Sequence, residues 1–181
     1  MALQTSDLLF KLSLKTGTAG NQSTQPDPNA SLGKYISTTA WAGGVLHDLF
    51  DVVTGDENAA SDIEYRCVFI HNNHATLNGI TPVMWISAEV SGGAVAAIGV
   101  DPAAQTVIGS SSAQAAQITL EGDVPSGVSF SAPTSKATGI SLGATLDAGK
   151  CRAIWIRRTA ANTVAVDADG FTLRVECDSS A

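Results

Sequence analysis

The clearest pattern in the chain is a two-residue alternation over residues 63–72, IEYRCVFIHN. A period of two places successive side chains on opposite faces of a β-strand. Both faces carry apolar residues here, since Val68 and Ile70 share the second face with Glu64 and Arg66. The pattern therefore predicts a central strand that is covered on both sides, or one whose second face meets another subunit.

Other segments show the same strand period. Alternation or dense apolar character predicts strands over residues 8–15, 83–90, 140–146, 150–159 and 171–177. In residues 150–159, KCRAIWIRRT, apolar side chains again fall on both faces, and two arginines stand near the end on opposite faces. The apolar positions of the best segments form the predicted core, namely Phe69, Trp85, Trp155, Leu173 and Val175.

Only one short stretch has a helical signature. Thr54 stands three residues before Glu57, which is the spacing of a capping box, and Asn58-Ala59-Ala60 follows. We expect a single short helical turn ahead of the strand at residue 63.

Three stretches lack a regular period. Residues 16–34 contain almost no apolar side chains and predict an extended arm or long loop that becomes ordered only against a partner. Residues 35–53 carry scattered apolar groups around Gly43-Gly44 and are expected to reach the core through irregular structure. Residues 91–136 are rich in Ser, Gly, Ala and Thr, with short apolar pulses that suit short strands within loops.

Many strands, turn signals between them and almost no helical period indicate an all-β protein. We predict one β-rich domain over residues 1–181, an antiparallel β-sandwich or jelly-roll-like fold with long polar loops and an extended N-terminal arm. The order of the strands cannot be read from the pattern.

Composition narrows the function classes. The net charge of −7 and the pI near 4.7 argue against a nucleic-acid partner, because binding phosphates requires a basic surface. No apolar run approaches the roughly 20 residues of a membrane span, and the N-terminus lacks the pattern of a secretory signal. We therefore expect a soluble protein made in the cytoplasm, with no membrane partner.

The positive charge is unevenly distributed along the chain. Four of the 10 cationic residues lie within residues 150–158, and an acidic run over residues 48–64 is their natural complement in this fold or in a neighbouring subunit. Arginine suits interfaces because its planar fork pairs with carboxylates in a fixed geometry. Arg157 and Arg158 are the candidate interface residues, and ion pairs within their own fold are the alternative.

No catalytic constellation, cofactor motif or metal-binding spacing stands out, so we predict a protein that is not an enzyme. His71 and His74 lack a third metal ligand at a recognisable spacing and are best explained by a polar turn. Three cysteines without a secretory signal indicate buried thiols rather than a disulfide. Four acidic residues could gather calcium but lack the ladder of a known loop: Asp51, Asp56, Glu57 and Asp62.

The three tryptophans allow two interpretations. Trp41, Trp85 and Trp155 could form a platform on which a sugar stacks, which would be typical of a carbohydrate-binding module. Trp85 and Trp155 lie among aliphatic strand residues, so packing in the core is the favoured interpretation.

Several of these segments resemble tailed-bacteriophage virion structural proteins. The resemblance lies in 63-IEYRCVFIHNNHATL-77 with VMWI at 83–86, and in 146-LDAGKCRAIWIRRT-159 with DGFTLRVE at 169–176. It covers about a third of the chain and is a pattern of strands and turns, so it implies no catalytic residues.

The resemblance implies a β-rich subunit present in many copies in the virion. Our preferred expectation is a capsid decoration (cement) protein that is homo-oligomeric and contacts the major capsid protein or other virion proteins. The alternatives are a tail or fibre-associated module for host attachment or carbohydrate binding and, last, an enzyme.

Overall fold

The computed structural model describes residues 2–17 and 24–180 of the chain. Residues 18–23, part of the predicted arm, lie outside this description. Within the described ranges the elements are β1 (Leu8–Leu14), β2 (Tyr35–Ala40), α1 (Gly55–Ala60), β3 (Ile63–Asn72), β4 (Gly79–Glu89), β5 (Val95–Val100), β6 (Thr106–Val107), β7 (Ile140–Ser141), β8 (Thr145–Leu146), β9 (Lys150–Thr159) and β10 (Phe171–Ser179), with 3-10 turns at Thr5–Asp7, Pro28–Ala30 and Lys136–Thr138.

The strands form two antiparallel sheets that pack face to face. The large sheet has the order β2-β1-β3-β9-β5, with β6 also paired to β9, and it curls. The small sheet has the order β10-β4-β7, with β8 also paired to β4. The chain passes from one sheet to the other five times, between β3 and β4, β4 and β5, β6 and β7, β8 and β9, and β9 and β10. The predicted all-β antiparallel sandwich is confirmed.

The centre of the molecule is the pair β3 and β9. They run antiparallel from Ile63 opposite Thr159 to His71 opposite Cys151. Their even-numbered apolar residues point into the space between the two sheets, where Met84 of β4 meets them. Burying an aliphatic side chain fully stabilises the fold by about 1.5 to 3 kcal/mol, so this row is a major source of stability.

The second face of the large sheet is also closed. Two largely irregular stretches, residues 24–34 and, apart from the short strand β6, residues 101–131, lie over it and are named the covering segments. Trp155 is fully buried beneath them and its Nε1 donates to Asp101 Oδ2 at 2.8 Å. Gly33, at φ +91°, passes so close that a Cβ there would lie 2.0 Å from the carbonyl oxygen of Ala116. Of the two alternatives for β3, coverage on both sides within one chain is the one found.

The described part of the predicted arm belongs to the fold. Residues 24–34 do not extend away, because Ser31 is buried and donates from Oγ to the carbonyl oxygen of Cys67 at 2.6 Å. Leu32 is buried beside it. Residues 24–34 are thus docked on the large sheet through Leu32 and buried polar groups, and the expectation that they become ordered only against a partner stays a prediction.

The predicted helical turn is confirmed as α1. Thr54 Oγ1 accepts from the Glu57 amide at 3.3 Å, and the Thr54 amide donates to Glu57 Oε2 at 2.6 Å, which completes the capping box. The helix ends at Ala60 and is capped by Ser61, which adopts the left-handed conformation at φ 54°.

Of the five predicted core residues, three are buried and two are only partly buried. Phe69, Trp85 and Trp155 are buried. Leu173 and Val175 pack against the core but remain partly exposed, because β10 is the edge strand of the small sheet and has a neighbour on one side only.

The thiols are free, as predicted. Cys67 and Cys151 are buried, and burial raises the pKa of Cys67 and raises that of Cys151 to about 11. Cys177, on β10, is only partly buried. A raised pKa lowers the thiolate fraction, so the two buried thiols are structural.

Candidate functional site

A cleft of about 940 Å³ opens at one end of the sandwich. Its walls are residues 41–54, 88–96 and 160–172, which are called the cleft loops below. These loops leave the ends of β2, β4 and β9 and enter β5 and β10, so all of them gather where strands of both sheets terminate.

The base of the cleft is aromatic and aliphatic. Trp41 packs edge-on against Phe10, with ring centres 5.8 Å apart, and lies 6.5 Å from the ring centre of Phe171. Leu49 and Phe50 are buried beneath the opening. The expectation that residues 35–53 reach the core holds for these two and for Ile36, although residues 35–40 form the regular strand β2.

The rim of the cleft exposes aliphatic side chains. Val164 is 85% exposed, Val45 70% and Leu46 69%, and Val52, Val90 and Val95 lie along the same rim. Six of the ten exposed large hydrophobic residues within the described ranges therefore line this one feature. Scattered surface hydrophobics are ordinary, whereas a contiguous exposed apolar patch marks an interaction site.

Hydrogen bonds tie the cleft loops to one another and to α1. The Asn58 and Thr163 pair is reciprocal, at 2.7 Å from Asn58 Nδ2 to the Thr163 carbonyl oxygen and 3.2 Å from the Thr163 amide to Asn58 Oδ1. Thr163 Oγ1 donates to the Gly92 carbonyl oxygen at 2.8 Å, and Asp169 Oδ2 accepts from the Ala94 amide at 2.6 Å. The rim is thus held in shape while its aliphatic side chains stay in solvent.

Arg158, the second interface candidate, lines the cleft and is engaged within its own fold. Its Nε donates to Glu64 Oε2 at 2.6 Å, and Nη2 contacts the same oxygen. Nη1 donates to the carbonyl oxygen of Asp51, and the guanidinium lies 4.9 Å from the ring centre of Phe50. The complement expected from the acidic run at residues 48–64 is found here, inside the same chain.

Arg157, the first interface candidate, points to the opposite face of β9, as the strand period predicts. Its guanidinium lies 5.6 Å from the ring centre of Phe130, and the side chain is half-buried. Within the described ranges it forms no ion pair with a carboxylate. The structure therefore separates the two arginines, and an interface role for either of them stays a prediction.

A buried ionic group beside the cleft was not foreseen. Arg66 is fully buried and pairs with Glu121 at 2.6 Å, while its guanidinium lies 5.0 Å from the ring of Phe50. Burial raises the pKa of Glu64, and the neighbouring Arg158 acts in the opposite direction. The strand period places Glu64 and Arg66 on one face, but Glu121 lies in a covering segment, and no sequence pattern links it to β3.

The residues considered for metal binding are dispersed. Within the described ranges no three His, Cys, Asp or Glu side chains are placed to hold a metal ion together. His71 is buried in β3, whereas His74 Nδ1 accepts the amides of Thr76 and Leu77 at 3.1 and 2.9 Å in the turn that follows. Of the acidic residues, Asp51 contacts Arg158, and Glu57 caps α1.

No tryptophan platform is formed. Trp85 and Trp155 are buried in the core, as the favoured interpretation predicts, and only Trp41 lines the cleft. None of the helices in the described ranges is long and apolar enough to cross a membrane.

Comparisons with protein-family models, curated proteins and solved structures found no match for this chain.

Proposed function

We propose that this protein is a non-enzymatic structural protein of a tailed-bacteriophage virion, of the capsid decoration (cement) type, that stabilises the shell by subunit contacts. The single observation that carries the contact role is the aliphatic rim of the cleft. The resemblance of β3, β4, β9 and β10 to segments of virion proteins supplies the choice of particle.

The cleft suits a protein partner better than a small solute. Six exposed aliphatic side chains stand on its rim, and its base is closed by Trp41, Leu49 and Phe50, so the surface offers apolar area beside the carboxylates that also line it. Burial of such area is the main favourable contribution in protein association. The partner would be the major capsid protein or another virion protein, inserting apolar side chains into the opening.

Arg157 and Arg158 would set the orientation of the bound partner. Arg158 is held by Glu64 and Asp51 at the wall of the cleft, so it presents a fixed edge to a partner. Arg157, without a carboxylate in the described ranges, is the better candidate for a charged contact with a neighbour. Exposed ion pairs contribute only about 0 to 1 kcal/mol each, so the rim must supply most of the affinity.

The experiment is a binding measurement on particles of the phage that encodes the chain, prepared without this protein. Purified wild-type protein should co-sediment with the particles, and Leu46→Ser/Val164→Ser should bind at least tenfold more weakly. The matched control is Leu120→Ser/Val124→Ser, which removes two side chains that are both 67% exposed but lie outside the cleft. Equal binding by all three proteins, or no binding by the wild type, would show that the proposal is wrong.

A second candidate function is a tail or fibre-associated module that binds host carbohydrate. Trp41 favours it, because a tryptophan beside an open cleft can stack on a sugar ring. Retention of a glycan by the wild type, and its loss in Trp41→Leu, would establish this role instead. Localisation by electron microscopy to the tail rather than the shell would agree with it.

A further inference from the structure

One edge of the small sheet is open. The carbonyl oxygen of Gly170 accepts from the Val90 amide at 2.9 Å, and the Ser180 amide donates to the Asn78 carbonyl oxygen at 3.0 Å. Even-numbered residues along β10 therefore direct their backbone groups toward β4. The odd-numbered residues, from Phe171 to Ser179, direct theirs to the other side, where β10 pairs with no described strand.

This edge has only part of the usual protection against pairing. The two irregularities in the β10 and β4 ladder leave the extra residues in β4, so β10 itself is regular over its nine residues. It contains no proline, glycine or lysine. Natural sheets normally blunt a long free edge with proline, charged residues or bulges, because an open ladder invites another strand. Of these, β10 has only the charges of Arg174, Glu176 and Asp178.

The charges on β10 favour one particular partner, which is a second β10. In an antiparallel pair of β10 strands centred on Val175, Arg174 of each copy lies directly opposite Glu176 of the other. Opposite charges at directly facing positions stabilise a sheet, and like charges destabilise it. Shifting the centre to Arg174 would place two arginines face to face, and shifting it to Glu176 would place two glutamates face to face.

The same register satisfies the backbone. Val175 then faces Val175, Leu173 faces Cys177, and Phe171 faces Ser179, and all of these odd-numbered residues carry the free amides and carbonyl groups. Each facing pair of this kind can exchange two hydrogen bonds in an antiparallel ladder. The centre on Val175 also gives the longest overlap, because it pairs every residue of β10.

The apolar face of β10 is incomplete in the single chain. Phe171, Leu173 and Val175 pack against the core between the sheets, yet each remains partly exposed. A second copy in this register would extend the row beyond the edge and cover it. Glu176 already contacts Lys136 at 3.1 Å, and its carboxylate has a second oxygen with which to accept from arginine.

We propose that two copies of this chain associate through their β10 strands, antiparallel and with Val175 on the twofold axis, so that the two small sheets become one continuous sheet. The association concerns the free subunit and does not rest on the virion proposal. It names a surface distinct from the aliphatic rim of the cleft.

The test uses the purified full chain and measures its mass by sedimentation equilibrium. Wild-type protein should form dimers. Arg174→Glu and Glu176→Arg should each dimerise about tenfold more weakly or worse, because both place like charges opposite one another. The double variant Arg174→Glu/Glu176→Arg should dimerise as the wild type does, and an equimolar mixture of the two single variants should form mixed dimers.

Two further variants distinguish loss of pairing at the β10 edge from effects of misfolding or of altered net charge. Val175→Pro removes an amide that faces outward, so it should abolish the dimer while circular dichroism shows a folded subunit. Asp56→Arg, an acidic residue on exposed α1, is the matched charge control and should leave the dimer unchanged. In hydrogen exchange, the amides of residues 171, 173, 175, 177 and 179 should be protected in wild-type dimers, and the four that remain in the Pro variant should exchange rapidly.

A monomeric wild type would overturn the proposal, as would a dimer in which these amides exchange rapidly. Failure of the two single variants to associate when mixed would also overturn it. None of these results bears on particle binding, which the cleft variants test separately.

Discussion

The covering segments and the cleft loops are both irregular, yet they use their apolar residues in opposite ways. In the covering segments, Leu32 and Ile118 are 6% and 5% exposed, so they close one face of the large sheet. In the cleft loops, Val45 and Val164 are 70% and 85% exposed. The lack of regular secondary structure therefore does not show whether a segment packs in the core or is exposed for contact with another molecule.

The difference lies in what anchors the two regions. Gln114, which is buried, accepts from the Ile36 amide at 2.9 Å and donates to Thr106 Oγ1 at 2.8 Å. Asp101 holds the Trp155 indole and the Ala116 amide in the same way. The cleft loops are tied by bonds at the surface, such as that between Thr163 and Gly92. Buried polar anchors mark a stretch that belongs to the fold, since breaking one leaves unpaired groups inside the protein.

The largest effect is expected beneath the covering segments. Trp155→Ala should lower the free energy of unfolding by about 3 to 5 kcal/mol, because it leaves a large cavity and frees the buried Asp101 carboxylate. Urea denaturation measures this loss. Trp41→Ala, at the half-open base of the cleft, is the comparison and should cost less. If Trp155→Ala lowered the free energy of unfolding by less than about 1 kcal/mol, Trp155 could not be buried beneath the covering segments.

The same face should also make stability depend on pH. Burial, with a further contribution from Lys11, lowers the pKa of His71 to about 4. Unfolded chains bind the proton near pH 6.5, so the native state loses stability as pH falls from about 6.5 to about 4, by up to about 3 kcal/mol. His71→Gln should flatten this part of the profile, measured by urea unfolding at each pH.

The exposed His47, in a cleft loop, provides the control for that measurement. His47→Gln should leave the dependence on pH as it is in the wild type. Equal flattening by both substitutions would mean that His71 is not the group responsible.

Arg157 and Arg158 allow the same comparison, between a role in the fold and a role in contacts, within the single strand β9. Arg158→Ser should cost about 1 to 3 kcal/mol, because it leaves the buried carboxylate of Glu64 without its nearest partner. Arg157→Ser should cost less than about 1 kcal/mol and should instead lower occupancy on particles at low salt. Thermal melting and co-sedimentation report the two effects separately. Unchanged occupancy of the Arg157→Ser protein would remove that residue from the interface.

The smallest effect on stability is expected at the rim of the cleft. Leu46→Ser and Val164→Ser should each change the free energy of unfolding by less than about 0.5 kcal/mol, because both side chains are in solvent. A larger loss of unfolding free energy would show that the rim side chains pack within the subunit, as Leu32 and Ile118 do. Differential scanning calorimetry is sufficient for this measurement.

The sequence predicted the regular parts of this molecule well, because alternation is a local signal. It located β3, β9 and the capping box of α1, and it identified Trp155 as a core residue. It could not separate Leu49, which is buried, from Leu46, which is exposed three residues earlier, since both stand in the same irregular stretch. That distinction depends on contacts with β strands far along the chain.

The candidate site was only partly accessible to the same reasoning. The two arginines were chosen for their charge, and the strand period correctly placed them on opposite faces. The partner of Arg66 is Glu121, which is 55 residues away and lies in a covering segment without a pattern. The open edge of β10 was likewise hidden, because a strand looks the same in sequence whether one or two neighbours flank it.

The position of β9 has a consequence for how the chain is made. It is the last strand of the large sheet to be synthesised, yet it lies between β3 and β5, and its partner Ile63 precedes Thr159 by almost a hundred residues. Loops of that length must close before the pairing contributes, so folding is slow and dominated by distant contacts. Until residue 159 has left the ribosome, β3 and β5 each present an unsatisfied edge to the cell. Fragments that stop before residue 150 should therefore aggregate. The large sheet can form only after β9 has been synthesised.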